Sequence, residues 1–357
     1  MKRLLLSFLT LLTVLTASAQ GAELSVDSLT FTYWTADAQV LPLPVASQQL
    51  TVPAQAVAVD LRGIGRITTV FTVDATQANP NCLYYLDAVD PLPQGLEAET
   101  CNVVCNQQAA CVRLSEDHDF FCPLAFRAQF VSFLMKPTYE GTFGGGYSET
   151  LVLPFQPTHV LLYDVNGQPG SMHADLLKIF RYEGNVGDSL ILSPIGDLRQ
   201  MAPYQPHILG VYVGSSLLFE AEDAEVPMTR ESISSGDGYH LKGTTVARTL
   251  SGYVYQYVPQ ENGFVLHAGS WQLPPFRACI VPGGEKEEGW GPSGVGHVLS
   301  FGSGVWGAEG SPTAIGSPRL PSAPSSPQVF SLSGQRLTAM PRTPGLYIVR
   351  GKKLLVR

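Results

Sequence analysis

The chain has 357 residues, 15% of them charged, with 22 Lys and Arg against 30 Asp and Glu and a formal net charge of −8. That balance disfavours nucleic acid and anionic membrane surfaces as partners. The 35 Gly, 27 Pro, 14 Tyr and 16 Phe fit a chain of turn-dense strands better than a helix-rich one.

Residues 1–19 place Lys2 and Arg3 before the apolar run LLLSFLTLLTVLT and end on Ala17-Ser18-Ala19. Charged, apolar, then small is the order of a secretory signal peptide, so cleavage is expected between Ala19 and Gln20. The run is too short to cross a bilayer comfortably and no later apolar stretch is long enough, so no transmembrane span is expected.

A first, Cys-rich β domain is expected over 24–136. Its strands alternate: Leu29, Phe31 and Tyr33 oppose Thr30 and Thr32, and Val57, Val59 and Leu61 oppose Ala58 and Asp60. Cys82, Cys101, Cys105, Cys111 and Cys122 fall here, and Cys279 stands apart. In an exported chain an even cysteine count reads first as disulfides, and the spacing of Cys101, Cys105 and Cys111 lacks the knuckles of a zinc ribbon. Cys105 and Cys111 flank NQQAA, read as a polar hairpin loop, and are the candidate bridge, while Cys279 in ACIV reads as a buried free thiol. Glu116, Asp117, His118 and Asp119 read as a solvated turn before a strand rather than a cation site.

Lys136-Pro137 marks the expected boundary to a second β domain, 137–301. Gly144-Gly145-Gly146 lacks the Lys-Ser of a phosphate loop, and Asp164-Val165-Asn166-Gly167 lacks the distal Glu of a calcium loop. Residues 172–182 are the one helical candidate. Tyr253, Tyr255 and Tyr257 form a ladder opposite Val254, Gln256 and Val258, followed by a turn and a returning strand. The expected fold is all-β, with two sandwich-like or barrel-like domains and a short C-terminal β tail.

No catalytic signature emerges. The seven His are scattered with no metal spacing, there is no GxSxG, and no cofactor or metal site is expected. Carboxylates distant in sequence can still meet in a cleft, which keeps a secreted hydrolase as a third reading. Trp34, Trp271, Trp290 and Trp306 are core fillers or sugar-stacking rings, with Trp271 and Trp290 as the candidate glycan contacts. Residues 302–328 are a Gly/Ser/Pro-rich linker. No internal repeat of 20–50 residues is evident along the chain.

The tail, 329–357, carries Arg336, Arg342, Arg350, Lys352, Lys353 and Arg357 and no acid, and its apolar runs VFSLSGQRL, LYIV and KLLV are separated by glycine turns. It resembles the sorting domain of cargo for the type IX secretion route of Gram-negative bacteria. Gly334, Gln335, Arg336, Gly345, Tyr347, Lys353 and Val356 fall on that pattern. The body, through NPNCLYYLDA, DFFCPLAFRAQFVSF, TLVLPF, APYQPHIL and PPFRACIV, resembles secreted β-rich surface modules of unknown function from bacteria with that route. The two resemblances imply delivery to the outer-membrane surface or the exterior, with the type IX machinery as partner. They imply a non-enzymatic adhesive or structural module facing a glycan or protein ligand, the alternative being a glycan-binding module with exposed aromatics.

Overall fold

The computed structural model describes residues 31–43, 45–64, 71–88, 92–97, 102–136, 147–163, 169–170, 177–186, 189–211, 216–235, 238–258, 263–282, 298–301, 329–331, 336–337, 345–349 and 352–356. Among them the regular structure is β-strand, with no α-helix and with 3-10 geometry at Ile64 and at Leu198–Gln200. Among the described residues no helix is long and apolar enough to cross a membrane. The part of the helical candidate that is described lies in the strand Leu177–Val186, whose two faces are both buried, Leu177 and Ile179 in one core and Phe180 and Tyr182 in another.

The amino-terminal part is solenoid-like. Ala58–Asp60, Leu83–Leu86 and Val103–Cys105 stack in parallel, and beside them Gln49–Thr51 stacks in parallel on Thr72–Asp74, with Thr72 bridging onward to Gln94. Each coil returns after roughly 20–25 residues and buries one row of apolar side chains between the two ladders, including Leu50, Val59, Val73, Tyr84 and Val103. This repeat was not expected from the sequence, because the coils share only inward apolar positions, filled by residues as different as Val59 and Tyr84. Gly95 shows how tightly the coils stack: its φ is +94°, and an added Cβ would lie 2.2 Å from the Val73 carbonyl oxygen. The antiparallel pair Phe31–Trp34 and Val40–Leu43 closes one end of the larger ladder.

At the other end Cys105 pairs with Gln108 across a two-residue turn, Asn106 and Gln107, both at positive φ (48° and 65°) as a type I′ hairpin requires. The outgoing strand Gln108–Ser115 then pairs in parallel with Phe126–Met135. Where it leaves the solenoid ladder, two buried asparagines replace backbone. Asn102 accepts from the Arg113 N–H at 2.8 Å and donates to the Arg113 carbonyl at 3.2 Å. Asn81 does the same with Ser115, at 2.9 and 2.8 Å.

The first ten-stranded sheet runs in the order Pro169–Gly170, His159–Tyr163, Ser216–Val226, Phe126–Met135, Gln108–Ser115, Val103–Cys105, Leu83–Leu86, Ala58–Asp60, Phe31–Trp34, Val40–Leu43. Strands from both sides of Lys136-Pro137 share it, and Phe126–Met135 pairs with Ser216–Val226 over most of its length. The strand before Lys136-Pro137 lies in the first sheet and the next strand, Tyr147–Val152, in the second, but later strands such as Ser216–Val226 return to the first.

The second ten-stranded sheet runs Tyr147–Val152, Pro206–Val211, Leu177–Val186, Ser189–Ile195, Val298–Phe301, Gly263–Leu273, Arg248–Val258, Arg277–Pro282, Tyr239–Thr244, Ser232–Ser235. One continuous core joins the sheets, from Leu83 and Val131 to Leu151, Ile179, Leu209 and Phe276. A further core gathers Val152, Phe180 and Ile208 with Tyr239, Tyr255 and Ile280, from opposite ends of the second sheet's strand order.

The tail strands Val329–Ser331, Arg336–Leu337, Gly345–Val349 and Lys352–Val356 form a four-stranded sheet of their own, in the order second, first, third, fourth.

Candidate functional site

The polar cluster at 116–119 separates into four unrelated roles. Glu116 is buried, accepts the Lys136 N–H and pairs with Arg277 Nη2, while Arg277 Nε lies 3.3 Å from Glu149 Oε1. Burial raises the Glu116 carboxyl above its ordinary range despite the Arg277 charge. Asp117 lies 3.9 Å from the Lys136 ammonium, the His118 carbonyl accepts from Asn81, and Asp119 accepts the Ala247 N–H at 2.6 Å. Of the four, Glu116 and Asp119 tie this segment to the second sheet's side, and Asp117 and His118 do not. Among the described residues no three His, Cys, Asp or Glu side chains converge to hold a metal ion.

The bridge expected between Cys105 and Cys111 does not form, and Cys105, Cys111, Cys122 and Cys279 are free thiols. The loop between them is shorter than NQQAA: the hairpin closes at Gln108, and Cys111 continues up the outgoing strand roughly 10 Å further on, beyond the reach of a disulfide. Cys122 and Cys279 are buried in apolar surroundings, which push both thiols up to about 12. Cys82 is buried in the solenoid core, and Cys101 lies outside the described residues.

Two rungs of the tyrosine ladder, Tyr255 and Tyr257, face inward. Tyr255 and Tyr257 are buried, Tyr255 in edge contact with Tyr239 and Tyr257 with Phe264, both at 5.5 Å between ring centroids. Trp34 packs edge-on against Tyr85 at the first core. Trp290 and Trp306 lie outside the described residues, as do Ala19, Gln20, Gly334 and Gln335. Arg336, Gly345, Tyr347, Lys353 and Val356 all lie in tail strands.

Trp271 differs from the other described aromatics of the second sheet. It sits half-buried on the strand Gly263–Leu273, packs with Leu250 and Val281 over the small cluster Val254, Leu273 and Cys279, and lies within 20° of parallel to the His267 ring at 6.4 Å between centroids. Between them in sequence is Gly269, paired with Gly252 on the neighbouring strand. Both glycines are exposed, at φ +109° and +97°, and a Cβ on either would meet nothing within 4 Å. The result is an aromatic face beside an open, side-chain-free floor. The sequence offers Trp271 as either a core filler or a sugar-stacking ring; His267 was missed, because its value lies in ring geometry rather than spacing.

No family model, curated protein or solved structure matches this chain.

Proposed function

We propose that this protein is an exported, non-enzymatic cell-surface module with an adhesive or structural role, delivered by its carboxyl tail. The observation that carries the reading is the tail's separate sheet: among the described residues its four strands pair with one another and with no strand of either large sheet. A segment that satisfies its own backbone can be read or removed without opening the body. The amino-terminal charged-apolar-small order and the tail's exclusively basic charge point the same way.

The body supports display rather than turnover. The buried Glu116–Arg277 pair is engaged in clamping the sheets, and a distinctive surface feature among the described residues is an aromatic face, which is binding chemistry. Expression of the full chain in a Gram-negative host with the type IX machinery should place it at the cell surface, degraded by protease added to intact cells. The double variant Tyr347→Ala, Lys353→Ala should accumulate in the periplasm with its body folded. Equal surface exposure of both proteins would sink the delivery reading.

A further inference from the structure

The open floor of Gly252 and Gly269 lies in the middle of a long antiparallel pair, where side chains would ordinarily cover the sheet. On the same side of the two strands, Leu250 and Val254 flank Gly252 while His267 and Trp271 flank Gly269. The rings lie within 20° of parallel. Trp271 covers apolar neighbours yet stays half-exposed, so it keeps aromatic surface in contact with water.

We propose that His267 and Trp271, over the Gly252–Gly269 floor, form a binding site for a neutral hexopyranose ring. The chemistry fits in three respects. A pyranose offers a flat C–H face that packs on an aromatic ring, and the absent Cβ atoms leave room for its thickness. Its rim hydroxyls are donors and acceptors, and imidazole nitrogens can serve as either. The net charge of −8 disfavours uronates, sialic acids and sugar phosphates, which selects uncharged sugars. The site deepens the surface-module reading by naming what the module would hold, and it is tested in purified protein, independently of where the cell delivers it.

The test is calorimetric titration of the full chain with cellohexaose, chitohexaose and maltohexaose, together with saturation-transfer NMR on the sugar protons. At least one oligosaccharide is expected to bind with a Kd of about 1 mM or tighter. Trp271→Leu keeps an apolar cover over Val254 and Cys279 but removes the ring face, and should weaken binding about tenfold. His267→Ala should weaken it by at least about threefold. Circular dichroism must show both variants folded, and if Trp271→Leu does not fold, His267→Ala decides. No binding to any of the three sugars, or binding unchanged in the folded variants, overturns the site. So does a concentration-dependent dimer that Trp271→Leu dissolves without any sugar binding, which would assign the face to a second copy of the chain. Any of these failures leaves the delivery experiment unaffected.

Discussion

At Asn81 and Asn102 a side-chain amide stands where a neighbouring backbone would otherwise pair, offering one donor and one acceptor in the geometry of a peptide group. Removing it leaves the buried N–H and C=O of Arg113 or Ser115 unpaired. Asn102→Ala is therefore expected to cost about 2–3 kcal/mol, measured by urea denaturation. An unchanged midpoint would mean that water replaces the amide. His207 poses the opposite case: it is fully buried between Leu151 and Arg181 on neighbouring strands, and neither ring nitrogen is hydrogen-bonded. Burial lowers its imidazole to about 4, with Arg181 adding to the effect. The unfolded chain takes up a proton near the ordinary value of about 6.5 while the folded chain refuses it. Stability from this group is thus complete above about pH 6.5 and is lost as pH falls towards 4, by about 3 kcal/mol in all. Glu116, raised by burial, acts in the opposite sense over part of that window, so the difference between proteins is the informative quantity. His207→Leu should flatten the loss between pH 6.5 and 4 in denaturation series. A variant with the wild-type slope would refute the assignment.

The elements show what a single sequence reveals and what it hides. Alternation in 31–33 and 57–61 predicted strands correctly, because each has one face in the solenoid core and side-chain period alone decides that. The coils themselves were invisible, since stacking needs only an apolar residue at each inward position and leaves identity free. The turn at Asn106-Gln107 was misread as a longer loop because Gln is an unusual residue at positive φ. That same strain gives a prediction: Gln107→Gly should raise stability by about 0.5–1 kcal/mol in thermal or chemical denaturation. If stability falls instead, the side chain of Gln107 contributes more than its backbone costs. Gly95→Ala should do the reverse and destabilise markedly, since its Cβ would meet the Val73 carbonyl at 2.2 Å. For the candidate site, Trp271 was legible as a candidate stacking ring. The His267 partner and the glycine floor were not, because they are products of register across two strands.

At the scale of the whole molecule the two large sheets are held as one body by a shared core and by Arg277, which pairs across the interface with Glu116 and within its own sheet with Glu149. Arg277→Met would leave two partly or fully buried carboxylates without a cation. It should cost about 3–5 kcal/mol near neutral pH, and less in acid where protonation relieves them. Among the described residues the tail strands pair with no strand of that body. The sequence signalled the tail through charge and punctuation, and its self-contained pairing is the feature on which the account of delivery rests. The most direct test is deletion of residues 329–357, with thermal unfolding of the purified body and fractionation of expressing cells read together. The account expects an unchanged unfolding midpoint and retention in the periplasm. A lowered midpoint, or a truncated body that still reaches the cell surface, would contradict it.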